Sequence, residues 1–320
     1  MSKRQWRKWI QWTAISIALF ILCLGSVIYA RPLWLVDQFL SLRLRVEGVE
    51  SSYLTLGDYR IHYYVRGPVS GPPIVLVHGL GGRSEDWINL APELVRAGYR
   101  VYTPDLLGFG RSDKPADASY SISEQSALVV SFMDAMNLKQ PDLVGWSMGG
   151  WIAQRTAVDH PDRIRRLVLM DSAGLLMPPE WDLRLFTPTN AAELDQLDAL
   201  LMPNPPHIPG FLAVDILRQS EEKGWVVKRA LTAMLTAQDV MDPHLPSLRM
   251  PVLILWGEED HITPLKEGRQ IHKLIPQSRL AIAPNCGHLA PQQCSTLFAG
   301  ETLRFLAANP PLPASETTLR

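Results

Sequence analysis

The pattern of hydrophobic and polar positions divides the chain into three unlike regions. From Trp9 to Ala30 no residue is charged, and Ile10, Ala14, Ile15, Ile17, Ala18, Leu19, Phe20, Ile21, Leu22, Leu24, Val27 and Ile28 make the stretch apolar on every helical face. At 1.5 Å per residue that run predicts a helix long enough to cross a bilayer. A cleaved leader fits less well, because its apolar run is usually about 7 to 15 residues and a cut after Ala30 needs a small residue where Ile28 stands. No lipid-attachment pattern surrounds Cys23. Trp6, Trp9 and Trp12 at one end, with Tyr29 and Trp34 at the other, match interfacial aromatic belts. Lys3, Arg4, Arg7 and Lys8 precede the span and only Arg31 follows closely, which puts the N-terminus in the cytoplasm and the rest of the chain outside it. Arg43 and Arg45 reduce that asymmetry. Residues 31–52 read as a connector.

From Tyr53 the rhythm changes. Tyr53–Leu56 and Tyr59–Val65, separated by Gly57-Asp58, read as a β-hairpin. Short continuous apolar runs follow at Ile74–Val77, Val101–Thr103, Leu143–Val144, Leu167–Met170, Val252–Trp256 and Leu280–Ala283. Helical spacing lies between most of them, as in Ser123–Met136 and Gly150–His160. Strands apolar on both faces and alternating with helices predict an α/β fold: a mostly parallel sheet covered by helices on both faces. One interval departs from this alternation. Residues 175–248 offer no convincing strand, several prolines and two amphipathic patches, Phe211–Leu217 and Trp225–Met234, and read as an inserted helical cap. The core is then residues 53–174 and 249–308, with 309–320 as a tail.

Composition narrows the classes. The 320 residues are 47% hydrophobic with a formal net charge of -1, enough to bury a full core and without the positive field that gathers nucleic acid. A nucleic-acid partner is excluded on that ground, and no repeat supports a solenoid.

The chemistry is concentrated at Gly145-Trp146-Ser147-Met148-Gly149, set between the Leu143–Val144 strand and a helix. This is a G-x-S-x-G turn in the strand-turn-helix context that gives it meaning, with Ser147 as nucleophile. A serine hydroxyl needs a base, itself held by a third group. His288, in Asn285-Cys286-Gly287-His288 just after the last strand, is the base expected. Asp260, in Gly257-Glu258-Glu259-Asp260, gives the chain order Ser, Asp, His; Glu258, Glu259 and Asp171 are the alternative acids. A tetrahedral oxyanion calls for N–H donors, for which Met148 and Leu80, the latter in His78-Gly79-Leu80-Gly81-Gly82, are the choices.

Five blocks in this order, H-G-L-G-G at 78–82, P-D-L-L-G-F-G-R-S-D-K-P at 104–115, G-W-S-M-G-G at 145–150, W-G-E-E-D at 256–260 and N-C-G-H at 285–288, resemble those of the α/β-hydrolase superfamily over residues 53 to about 308. Within it the chain looks most like membrane-anchored bacterial lipases and monoacylglycerol lipases, and also like relatives that hydrolyse carbon-carbon bonds of ring-fission products. The resemblance implies an α/β-hydrolase fold, a Ser147–His288–Asp260 triad, a lipophilic ester as substrate, the membrane as partner through the N-terminal helix, and no metal or organic cofactor. It sets aside dehalogenases and epoxide hydrolases, which carry aspartate at the position of Ser147. Asp105 and Arg111 in the second block read as bracing their loop. A peptidase on the same fold would want cap acids such as Glu180, Glu193, Asp195, Asp198, Glu221 or Glu222 to hold an amine. Cys286 and Cys294 lie eight positions apart, and sequence alone leaves a disulfide between them open.

Overall fold

The structure is a computed structural model describing residues 3–320; the first two residues of the expected cytoplasmic tail lie outside the described residues. The elements run α1 (Lys3–Ala30), α2 (Pro32–Val46), β1 (Glu50–Leu56), β2 (Tyr59–Arg66), β3 (Pro73–Val77), α3 (Ala91–Arg96), β4 (Arg100–Pro104), α4 (Ile122–Ala135), β5 (Asp142–Trp146), α5 (Met148–Asp159) and β6 (Leu167–Met170). They continue through α6 (Ala191–Leu201), α7 (Gly210–Met234), β7 (Val252–Gly257), α8 (Leu265–Leu274), β8 (Arg279–Ala283), α9 (Ala290–Gln293), α10 (Ser295–Ala307) and β9 (Ser315–Thr318).

The nine strands form one sheet in the order β1-β2-β4-β3-β5-β6-β7-β8-β9. The β1/β2 and β2/β4 pairs are antiparallel and all others parallel. Because side chains alternate along a strand, each parallel strand feeds two cores. Val75, Val77, Leu143, Leu167, Leu169 and Ile254 meet Val129 and Phe132 of α4, Ile152 of α5 and Ile271 of α8 on one face. Ile74, Leu76, Val144, Val168, Met170 and Leu255 meet Leu94 of α3 and Phe298 and Phe305 of α10 on the other. This is the doubly covered sheet that the continuous apolar runs predict.

Three segments at the ends and in the cap are more regular than their sequence suggests. Residues 32–46 of the expected connector form a regular helix, α2, with Pro32 at its first turn and its Leu33 N–H donated to Oδ2 of the buried Asp215 at 2.9 Å. The two amphipathic patches of the cap are parts of a single 25-residue helix, α7, and α6 precedes it. The tail contributes β9, whose Ser-Glu-Thr-Thr sequence offers no apolar alternation; it is held at the sheet edge by backbone pairing with β8 and by Arg279 Nη1 donating to Ser315 Oγ at 2.6 Å.

The N-terminal helix is long and apolar enough to cross a membrane, and its apolar window is uncovered by the rest of the chain. It meets the body through α7: Tyr29 stacks on Phe211 at 6.4 Å, and Arg31 approaches Glu222 at 3.9 Å.

Candidate active site

The parallel strands β3, β5, β6, β7 and β8 end at one edge of the sheet, where an α/β fold gathers its loops. Ser147 occupies the turn between β5 and α5 with φ +55° and ψ −122°, a backbone state that L-residues adopt only when the surroundings impose it. Here the imposing feature is close packing. A Cβ on Gly145 would stand 2.2 Å from the Gly149 carbonyl oxygen, and one on Gly149 would stand 2.2 Å from that of Val77. Both glycines are therefore sterically required, and the turn lifts the serine hydroxyl out of the sheet.

The loops after β5, β7 and β8 bring the three residues anticipated from sequence into one hydrogen-bonded line. Nε2 of His288 lies 2.8 Å from Ser147 Oγ, and Nδ1 lies 2.8 Å from Asp260 Oδ2. All three are buried. Asp260 is itself fixed: Oδ1 accepts the amides of Ile262 and Thr263 at 2.8 and 2.9 Å, and Oδ2 accepts the Thr263 hydroxyl at 2.8 Å. Glu258 stays outside this line, and its amide pairs with the Ala283 carbonyl. The backbone N–H of Glu259 pairs with the Cys286 carbonyl.

Leu80 and Ser147 share one cavity wall, and a Cβ on Gly79 would stand 3.1 Å from that of Ser147. The β3 loop thus crosses directly over the serine. Neither the Leu80 nor the Met148 N–H is taken by a backbone carbonyl among the described residues. Met148 opens the twelve-residue α5, whose N-terminal dipole adds to the attraction for a developing negative charge.

Two buried polar groups fix this loop. His78 donates from Nδ1 to the Gly79 carbonyl at 2.8 Å and accepts the Leu106 amide at Nε2 at 3.0 Å, and burial lowers its pKa. Asp105 accepts the Ser84 amide at 2.6 Å, the Arg111 amide at 2.9 Å and His62 Nδ1 at 2.8 Å. Burial alone would raise the Asp105 carboxyl, but the His62 hydrogen bond and the neighbouring donors outweigh it and hold it at about 2. Arg111 reaches Glu85 at 2.9 Å and Tyr64 Oη at 2.7 Å.

Several contacts of the site are not spelled out by its motifs. Trp146 Nε1 donates to the His288 carbonyl at 2.8 Å, and Cys286 is disulfide-bonded to Cys294, so the histidine loop is tied on both sides. Asp171, the alternative acid, is fully buried at the end of β6 and accepts the Gly257 amide at 2.7 Å. Burial, then the Asp260 charge, pushes its carboxyl well above the usual range. Glu267 lines the cavity and is pushed up to about 8, first by burial and next by Asp260. Sequence shows Trp146 and Cys286 within their blocks and Asp171 at a strand end, but their contacts depend on loops meeting.

The cavity over Ser147 measures about 300 Å³ and is walled by Trp151, Leu175, Met177, Trp181, Phe186 and Leu231. Its cap segment is pinned to the core by Trp151 Nε1 donating to the Asp239 carbonyl at 2.6 Å and by the Met241 amide to Gly174 at 2.9 Å. The arrangement offers an activated hydroxyl, amide donors and an apolar enclosure.

A family profile described as the alpha/beta hydrolase fold matches residues 72–207 and 217–291. Over 249 residues the chain is 32% identical to a 2-hydroxymuconate semialdehyde hydrolase of Pseudomonas sp. (strain CF600), spanning 74% of this chain and 88% of that relative. It is 28% identical over 259 residues to Lipase 1 of Psychrobacter immobilis, spanning 75% and 78%. The solved structure of a membrane phospholipase A, described as a novel bacterial virulence factor, superposes with a TM-score of 0.79 at 24% identity over 92% of this chain and 98% of that one. The sheet order, the strained Ser147 turn and these matches agree, and the chain belongs to the α/β-hydrolase family of enzymes.

Proposed function

We propose that the protein is a membrane-anchored serine hydrolase that cleaves lipophilic carboxylic esters. Ser147 Oγ attacks the ester carbonyl carbon as His288 Nε2 takes its proton, and Asp260 holds the imidazole through Nδ1. The Leu80 and Met148 amides stabilise the oxyanion. His288 then returns the proton to the departing alkoxide, leaving the acyl group on Ser147. A water, deprotonated by the same imidazole, releases the acid and restores the serine.

The observation that carries this reading is the apolar cavity with Ser147 in its wall, which suits an acyl chain. The N-terminal helix supports it, since substrates that partition into lipid meet an anchored enzyme there. The basic residues in the first turns of α1 and the Cys286–Cys294 disulfide support an extracytoplasmic catalytic domain. Domain limits at residues 31, 53, 175, 249 and 309 belong to this reading, modified by α2 and β9.

Carbon-carbon hydrolysis of ring-fission products is the second reading, favoured by the 32% identity to the semialdehyde hydrolase. A 2-hydroxymuconate product carries a carboxylate that needs a cationic partner once desolvated. No lysine or arginine lines the Ser147 cavity among the described residues, and its one carboxyl, Glu267, is pushed up to about 8. This favours the neutral ester.

Hydrolysis of p-nitrophenyl esters from acetate to palmitate by the full chain, beside Ser147→Ala, tests the proposal. Turnover in the wild type that vanishes in the variant is expected, with an optimum beyond acetate. Turnover of a ring-fission dienoate without any ester would overturn it.

A further inference from the structure

A second cavity of about 420 Å³ shares the β3 loop with the catalytic one. The division falls between consecutive residues: Leu80 lines the apolar cavity with Ser147, while Gly81 and Gly82 line the second. Helix α7 does the same along its length, with Leu231 and Met234 facing the first and Lys223 and Val226 the second. The chemistry of the two spaces is opposite. The second is lined by four cations, Arg83, Arg111, Lys114 and Lys223, against two carboxylates, Asp37 and Glu85.

Those carboxylates are already engaged. Arg83 reaches Asp37 at 2.7 Å and Glu85 at 3.7 Å, and Arg111 reaches Glu85 at 2.9 Å. The two lysines remain. Lys114 Nζ donates to the Gly110 and Ser112 carbonyls at 2.8 and 3.0 Å, neutral acceptors, and Asp105 and Asp113 act on its charge only through space. Lys223 enters no ion pair among the described residues. Their repulsion, after burial, lowers the Lys114 pKa. Two like charges facing one space form an arrangement that an anion between them would relieve.

Its position relative to the anchor restricts the source of that anion. Leu33, Val36 and Asp37 of α2 line it, and α2 begins two residues after the end of α1. Leu33, Val36 and Asp37 follow the end of the span by only a few residues, which places them beside the headgroup layer outside the hydrocarbon.

We propose that this cavity holds the phosphate of a lipid headgroup, through Lys114 and Lys223, while the ester of the same molecule lies at Ser147 and its acyl chain in the apolar cavity. The substrate is then a glycerol-based phospholipid or lysophospholipid, in which glycerol carbons link ester to phosphate, as the β3 loop and α7 contribute lining to both cavities. This rests on the ester-hydrolase reading.

The test uses the full chain in mixed micelles, comparing lysophosphatidylglycerol with a monoacylglycerol of the same acyl chain. The readout is the ratio of kcat/KM for the phosphorylated ester to that for the neutral one. In Lys114→Gln/Lys223→Gln the ratio is expected to fall about 10- to 100-fold, the worth of one or two charge-assisted hydrogen bonds. Lys223→Glu should lower it at least as far. A ratio unchanged in both variants overturns the proposal. Wild type that cleaves the neutral ester but not the phospholipid overturns it and leaves the esterase reading standing; wild type that cleaves neither overturns both. Calorimetric titration with inorganic phosphate separates the sources: binding lost in the variants alongside an unchanged ratio would mean a free anion, not a headgroup.

Discussion

The carboxyl edge of the sheet and the cap that closes over it hold their side chains by different means. At the edge, position is imposed by backbone: Ser147 sits at φ +55° between sterically required glycines, and Asp260 is held by two amides and a hydroxyl. Over it, Phe186, Leu231 and Met234 are held by apolar contact, and α7 joins the cavity wall to α1. Directional hydrogen bonds fix an atom to tenths of an ångström, whereas apolar contact is non-directional and tolerates repacking. The edge is thereby suited to bond cleavage and the cap to substrate choice. Substitutions at the edge should lower turnover for every substrate, and those in the cap should change which substrate is preferred.

The largest effect expected is at the edge. Asp260→Asn keeps the shape but favours the wrong imidazole tautomer, and kcat should fall by roughly 10⁴-fold, equally for short and long p-nitrophenyl esters. Partial retention of activity would place Asp171 in the role, a result checked by the Asp171→Asn/Asp260→Asn double variant.

Next is the tie on the histidine loop. Closing the short loop between Cys286 and Cys294 is worth roughly 2 to 3 kcal/mol. Cys286→Ser/Cys294→Ser should lose about that much in urea unfolding monitored by tryptophan fluorescence, while chain-length preference stays the same.

A smaller effect is expected in the cap. Leu231→Trp fills part of the roughly 300 Å³ cavity. It should lower kcat/KM for palmitate about tenfold, as expected for the loss of a few buried methylenes, and leave acetate nearly unchanged. Equal loss on both esters would blur the division between the regions.

A pH effect is expected where the regions meet. Glu267 keeps its proton up to about 8 in the folded chain, against 4.5 in its ordinary state, because burial and Asp260 disfavour its charge. Across that window the folded state binds the extra proton, so stability from this group is present at low pH and is lost as pH rises toward 8. Glu267→Gln should flatten the fall of Tm between pH 5 and 8, as read by thermal unfolding in a buffer series.

Much of the edge is legible in the chain itself. Gly145 and Gly149 flank Ser147 within one turn, and a local steric demand writes itself into adjacent residues. The strands are legible as well, since burial on both faces leaves unbroken apolar runs such as Leu167–Met170. The connector is not, because Pro32–Val46 mixes apolar and charged positions and is fixed as α2 partly by Asp215, 182 residues from Leu33. Nor is β9, whose four polar residues are ordered by backbone pairing at an edge, a force that leaves no mark on side-chain type.

The family, the alternation of strand and helix, the apolar span, and the choice of serine, histidine and aspartate all follow from the order of residues, because each depends on neighbours in the chain or on repeated burial. The folded molecule alone establishes that Asp171 stands beside Asp260, that Cys286 meets Cys294, and that Lys114 and Lys223 face one space beyond Gly81. Those facts depend on distances between loops set by the packing of the whole sheet and its cap, and no local pattern of residues encodes a distance across the fold.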